Sequence, residues 1–140
     1  IRLKVVGSLN MASKTLLEKL KDPNIDCLGF ISDLKTVLLP KDIHIIPWEN
    51  NTGTRTRVPV ALNHRQVLVA TKASVSCFPE INEENSVLCR ELSEMIPVII
   101  NLYSDREKLH LLSSNGKKTF LETFVANSQV NKLKKHIDTL

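Results

Sequence analysis

The sequence predicts an α/β domain with a mostly parallel central sheet and helices on both of its faces. Three observations lead there. Short β-branched runs recur along the chain, at IRLKVV, NIDCLGF, DIHIIPW and HRQVLVAT. Between several of them lie stretches whose apolar residues repeat at helical spacing. The final stretch, residues 97–140, reads as strand, capped helix, glycine stop, short strand and closing helix. Such alternation is the pattern of a parallel sheet covered by helices.

Taken in order, residues 1–6 are expected to form the first strand, ended by Gly7 and Ser8. Asn10 is a good helix cap, and Leu16, Leu17 and Leu20 place an apolar stripe on a helix over 11–21. Asp22-Pro23-Asn24 ends it, because proline cannot continue a helix and disfavours helix in the residue before it. A second strand over 25–31, a short helix over 32–39 stopped by Pro40, and a third strand over 42–48 follow. Residues 49–57, ENNTGTRTR, are polar and contain Gly53, so a loop is expected there. Residues 64–71 are strand-like. Residues 72–82 fit no element well, since Pro79 blocks regular structure. Val87, Leu88, Leu92 and Met95 have helical spacing over 83–95. The run from Pro97 is expected to be a strand. Ser104-Asp105-Arg106-Glu107 has the capping-box pattern, in which serine and glutamate each satisfy a backbone donor. Gly116 is expected to stop the helix so opened. A last strand over 119–124 and a helix over 125–140 complete the chain. Val130, Leu133 and Ile137 of that helix are expected inward, and Lys132, Lys134 and Lys135 outward.

The length of 140 residues suits one ordinary domain over 1–140 with a full core. The net charge of +4 is below that of a dedicated nucleic-acid binder. Aromatic residues, at 4%, are too sparse for base stacking to be a main activity. Cys27, Cys77 and Cys89 are odd in number and lack CxxC spacing, which argues against a disulfide framework or a zinc site. Reduced thiols and a cytoplasmic location are the expectation. No apolar run approaches the roughly 20 residues of a membrane helix, so no membrane contact is expected of these residues. A chain opening on Ile1 is expected to be a piece of something longer. Asn50-Asn51-Thr52 fits the glycosylation pattern, which is common by chance. His44, His64, His110 and His136 show no metal-ligand spacing, and no GxSxG elbow occurs. No catalytic residue, metal or cofactor is therefore expected.

A strand opening PVI, then YSDREK, then a helix ending at Asn115-Gly116, a short strand and a last helix resembles the second half of a response-regulator receiver domain. The resemblance implies a flavodoxin-like fold, with an extra strand or long insertion between the third and fourth strands. Functional groups in that fold gather at the carboxyl ends of the strands. A receiver needs two acidic residues after the first strand, where Gly7 and Ser8 stand. It needs an aspartate at the end of the third, where Pro47 stands with Glu49 off register. It needs Thr or Ser ending the fourth, where Asn101 and Leu102 stand, and Lys-Pro ending the fifth, where Glu122 and Thr123 stand. Carboxylates must hold the divalent ion, and the lysine must neutralise phosphoryl charge. The resemblance is thus to a pseudo-receiver of the hybrid histidine kinase kind.

The expected function is a non-catalytic signalling domain of a two-component system, contacting a protein partner such as a kinase module. Its contact residues would be Arg106, Lys108, Lys117 and Lys118. A second basic surface comprises Arg55, Arg57, Arg65 and Lys72, with Trp48 as an anchor, because interfaces favour Trp and Arg. An alternative is a small-ligand or nucleotide-binding α/β domain using the Gly7-Ser8 turn before a helix, although the glycines of a P-loop or dinucleotide fingerprint are missing. A further alternative is a basic assembly module that contacts RNA or an acidic protein.

Overall fold

The computed structural model describes residues 1–50 and 53–138. Asn51 and Thr52 of the glycosylation pattern and the last two residues of the expected closing helix lie outside them, as do the side chains of Lys132 and Lys135. The chain is α/β with parallel sheets and helices, as the alternation predicts. It forms two compact units, Ile1–Val37 and Leu38–Leu140.

In the first unit, β1 (Leu3–Val6) and β2 (Ile25–Gly29) pair in parallel. The connecting helix α1 (Lys14–Lys19) is shorter than the leucine stripe implies. Ser13, not Asn10, caps it, its Oγ accepting from the Leu16 amide at 3.2 Å. The expected helix over 32–39 is a single 3-10 turn, Leu34–Thr36.

In the second unit, β3 (Ile43–Ile46), β4 (Val67–Thr71) and β5 (Ser86–Cys89) form a parallel sheet with β4 in the middle. All five residues of β4 are buried. A strand of that kind must be covered on both faces, and its near-continuous apolar character reflects this. Leu68 and Ala70 pack with Val58, Ala61 and Leu62 of α2 (Arg57–Asn63) and with Val75 of α3 (Lys72–Val75). Val67 and Val69 point the other way. They meet Met95 and Leu102 of α4 (Met95–Ser104) and Leu109 and Leu112 of α5 (Arg106–Thr123).

The last third departs from the expected elements. The stretch expected as a helix over 83–95 holds strand β5, because pairing with the buried β4 outweighs a short helical pattern. The expected Pro97 strand is helix α4. Pro97 sits in its first turn, where the missing amide hydrogen costs nothing. The cap of α5 is Asp105, whose Oδ1 accepts from the Lys108 amide at 2.9 Å, so the expected box at Ser104 is displaced by one residue. Helix α5 continues through Gly116 for 18 residues and absorbs the expected strand over 119–124. The closing helix α6 (Ala126–Ile137) forms, but Val130, Leu133 and Ile137 are exposed, not inward.

Gly116 is in the middle of α5 for a packing reason. A Cβ there would stand 2.9 Å from Leu62 Cδ2 and 3.5 Å from the Asn85 carbonyl oxygen. Leu62 is fully buried, so it has no open space to move into. Around this contact, Ser113 Oγ donates to Arg65 O at 2.7 Å, and Lys117 Nζ donates to Asn63 O and Oδ1 at 2.9 Å. Asn115 Nδ2 donates to Glu84 O at 2.7 Å, and Asn85 Nδ2 donates to Thr119 Oγ1 at 3.0 Å. Each of these partners lies just before β4 or β5. Helix α5 therefore crosses the amino ends of the strands, with Leu109 and Leu112 on one face of the sheet and Phe120 on the other.

Replacing Gly116 by alanine would gain about 1 kcal/mol of helix propensity. Overpacking against Leu62 should cost roughly 1–3 kcal/mol. Gly116→Ala is expected to lower the unfolding free energy measured in urea, and Gly116→Val to lower it further. A more stable alanine variant would show that the close approach is not tight.

Candidate functional site

With the amino edge occupied by α5, the carboxyl edge of the three-stranded sheet carries the loops that can meet a ligand. In open parallel α/β sheets, ligands gather at that edge. The chain leaves β3 through Pro47 and Trp48, passes the Gly53 loop and enters α2 at Arg57. Trp48 is 47% exposed. The Arg55 guanidinium lies 4.7 Å from the centre of its ring, a cation–π contact. Arg55 Nη2 also donates to Asn50 O at 3.4 Å. Arg57 is exposed in the first turn of α2, a turn without an acidic residue.

This loop is tied to the end of β4. The buried Thr71 donates its hydroxyl hydrogen to Trp48 O. Thr71 Oγ1 itself accepts from the Ser74 amide at 3.2 Å and so caps α3. Ser74 Oγ in turn donates to Thr71 O at 2.8 Å and reaches Ile46 O at 3.5 Å. One buried threonine thus fixes two adjacent carboxyl-end turns. Lys72 follows it, exposed, with Nζ 3.9 Å from Glu83 Oε1. Beside it opens a cleft of about 600 Å³, lined by Lys72, Val75, Phe78, Asn82, Glu83 and Leu88.

The structure brings Trp48, Arg55 and Arg57 together on one loop. Lys72 follows β4 at the same edge, whereas Arg65 precedes β4, where its carbonyl accepts from Ser113, so the expected basic surface is divided between the two edges. Arg106, Lys108, Lys117 and Lys118 lie on α5. Arg106 packs 5.4 Å from the Tyr103 ring centre, and Lys108 donates its backbone amide to the helix cap. Lys117 is engaged by Asn63 and lies 5.0 Å from the Phe120 ring centre, while Lys118 is 4.0 Å from Glu122. Gly7 and Ser8 belong to the first unit. They follow β1 in a turn where Gly7 has φ +127° and donates to Gly29 O at 2.7 Å. Such a φ is readily adopted only by glycine. Ser8 Oγ accepts from the Asn10 amide at 3.3 Å. Thr71 and Ser74 were missed from sequence. Their signal is a Thr-x-x-Ser at the end of the apolar run Val67–Thr71.

On β3, His44 Nδ1 is 2.8 Å from Gln66 Oε1. Burial holds this imidazole below its ordinary pKa of 6.5; the Gln66 bond opposes that shift and the nearby Arg57 charge adds to it. Among the described residues, no three or more His, Cys, Asp or Glu side chains are grouped to hold a metal ion. No described helix is long and apolar enough to cross a membrane.

No protein-family model matches the chain, and no curated protein matches it. Solved structures do. HepE from Anabaena in complex with UDP has a TM-score of 0.82 at 16% identity, over 100% of this chain and 41% of that one. A glycosyltransferase from Rickettsia africae has a TM-score of 0.76 at 16% identity, over 96% of this chain and 38% of that one. The C-terminal domain of a glycosyl transferase group 1 family protein from Francisella tularensis has a TM-score of 0.67 at 22% identity, over 84% of this chain and 65% of that one. The chain spans about two fifths of the first two.

These likenesses overturn the pseudo-receiver. The structures that share the fold include glycosyltransferases, not receivers or parts of two-component systems. The physical reason is in the elements. Asn101 and Leu102 lie within α4 and Glu122 and Thr123 within α5, so the positions compared with the ends of a receiver's fourth and fifth strands are not in a sheet. The expectation of a non-catalytic signalling module falls with it, since enzymes are among the neighbours in fold.

Two outcomes follow from this geometry. Thr71→Val keeps the shape but removes the hydroxyl, leaving Trp48 O and the Ser74 amide short of a partner. A loss of roughly 1–3 kcal/mol is expected, with faster amide exchange over residues 47–57; unchanged exchange there would show that Thr71 does not hold the loop. For His44, the unfolded chain takes up a proton near 6.5 while the folded chain resists it until lower pH. Its contribution to stability is therefore full above 6.5 and is lost as pH falls through the depressed folded value. Urea midpoints should drop as pH falls below about 6.5, and His44→Gln should flatten that drop.

Proposed function

We propose that the second unit binds the diphosphate of a nucleotide sugar, making this chain the donor-binding part of a glycosyltransferase. One observation carries the reading. The cations Arg55, Arg57 and Lys72 stand on the carboxyl edge of the parallel sheet, while α5 occupies the amino edge. Adjacent phosphate groups suit guanidinium groups, which present paired donors in a plane. The Arg55 side chain is oriented by the Trp48 ring, so less freedom is lost when it meets an anion. Positive charge there would also stabilise the diphosphate as it leaves the sugar. The fold shared with a protein solved with UDP and with UDP-glucose supports this reading.

Gly7 and Ser8 remain a proposed ligand-contacting turn of the first unit. Their glycine-permitted backbone and short side chains leave room for a phosphate to approach. The free thiols, two of them exposed, support a cytoplasmic setting.

Titration with UDP and UDP-glucose tests the proposal, by calorimetry and by thermal shift. Both are expected to bind and to raise the melting temperature by mass action. Uridine, which lacks the phosphates, should bind at least about tenfold more weakly, a difference of about 1.4 kcal/mol. Arg55→Ala and Arg57→Ala should each weaken UDP by a similar factor, and uridine by little. Absence of any shift with UDP, UDP-glucose or other nucleoside diphosphate sugars would sink the reading.

A further inference from the structure

A second cavity, of about 300 Å³, opens between α5 and the turn that leads into β5. It lies at the amino edge of the three-stranded sheet, away from Arg55, Arg57 and Lys72. The turn is held in place by its own asparagines. Asn85 is buried; its Nδ2 donates to Glu80 O at 2.8 Å and to Thr119 Oγ1 at 3.0 Å, and its Oδ1 accepts from the Asn82 amide at 3.1 Å. Asn82 Oδ1 accepts from the Glu84 amide at 2.9 Å. The other wall is one stripe of α5, where Asn115, Thr119 and Thr123 recur every four residues.

Thr123 lines this cavity and is only 7% exposed. Its carbonyl accepts from Gln129 Nε2, but among the described residues its hydroxyl meets no hydrogen-bond partner. Buried hydroxyls are ordinarily bonded, and leaving one unmet costs stability. A valine would fill the same space without that cost. The groups nearby are mostly acceptors. Asn115 Nδ2 is committed to Glu84 O at 2.7 Å, which leaves its Oδ1 to accept. Glu84 and Glu122 are exposed at the rim, and Glu80 is a third acid in the lining. Lys118, 4.0 Å from Glu122, is the one cation among the described lining residues. The lining is therefore net negative, yet among the described residues no three acids are grouped to hold a metal ion.

The geometry points to a binding site for a small organic cation, taken through a primary ammonium group that meets Thr123 Oγ1. An ammonium is three donors and no acceptor, the complement of a hydroxyl oxygen, an amide oxygen and carboxylates. Bonds from a charged donor are also the stronger kind. The cavity equals roughly ten water volumes at about 30 Å³ each, which suits an aliphatic diamine or triamine. The inference is independent of nucleotide binding, because that proposed site lies at the opposite edge of the sheet.

Calorimetric titration and thermal shift of the full chain with 1,4-diaminobutane and spermidine test it. Both amines should bind and raise the melting temperature by mass action. The uncharged counterpart 1,4-butanediol should bind at least about tenfold more weakly. Thr123→Val should weaken the amines by a similar factor while leaving the melting temperature without amine equal or higher, and Thr123→Ser should retain binding. A merely structural threonine would give the reverse, a less stable valine variant with amine binding intact. Glu122→Gln, which alters an exposed position, should also weaken binding. No binding of either amine, butanediol binding as tight as the diamine, or amine binding unchanged in both Thr123→Val and Glu122→Gln would overturn the proposal.

Discussion

The close approach of Gly116 to Leu62 is the contact on which the rest of the second unit depends. It lets an 18-residue helix lie against α2 without a side chain between them. From that point α5 reaches both apolar clusters, with Leu109 and Leu112 on one face and Phe120 on the other. No other described helix contributes to both. The flanking bonds from Ser113, Asn115, Lys117 and Thr119 then satisfy backbone and amide groups that would otherwise stand at the entry to β4 and β5. Two of them, from Ser113 and to Thr119, are part-buried, where polar groups ordinarily find partners inside the protein.

This arrangement makes the two edges of the sheet unequal. All three strands run the same way, so every entry lies on the side crossed by α5 and every exit on the other. At the exits, the polar groups of Thr71, Ser74 and Trp48 bond to one another, Arg55 stacks on Trp48, and Arg57 and Lys72 are exposed. A buried hydroxyl holding a basic loop would preorganise the anion site proposed above. The cost of ordering the loop is met when the chain folds and need not be met again when a ligand binds.

The strands of the first half were legible because each is a short β-branched run closed by a turn signal, as at Ile25–Gly29 and Ile43–Ile46. The second half misled for two reasons. Gly116 was read by its conformational freedom, as a helix stop, when its lack of a side chain was what mattered. SVLC was read with Leu92 and Met95 as one helical pattern, although its pairing partner β4 lies 18 residues earlier in register and no local signal reports it. The candidate site was half legible. Trp48, Arg55 and Arg57 stood out as a basic loop with an aromatic. The place of that loop at the exit of β3 did not, because placement is a property of topology that residue types do not carry.

The misreading of Pro97 as a strand has a cause that the structure makes plain. A surface helix alternates apolar and polar faces, and that period is what marks it in a sequence. IPVII shows no period, because Ile96 and Ile100 are as apolar as Val98 and Ile99. A run that is apolar at every position resembles a buried parallel strand. The residues that erased the helical signal are the same ones that stand exposed on the outer side of α4. Had that side evolved only to face water, Ile96, Ile100 and Tyr103 would be the positions to carry polar side chains, and the helix would have been recognisable. The loss of amphipathic pattern and the exposed stripe are one fact seen at two levels.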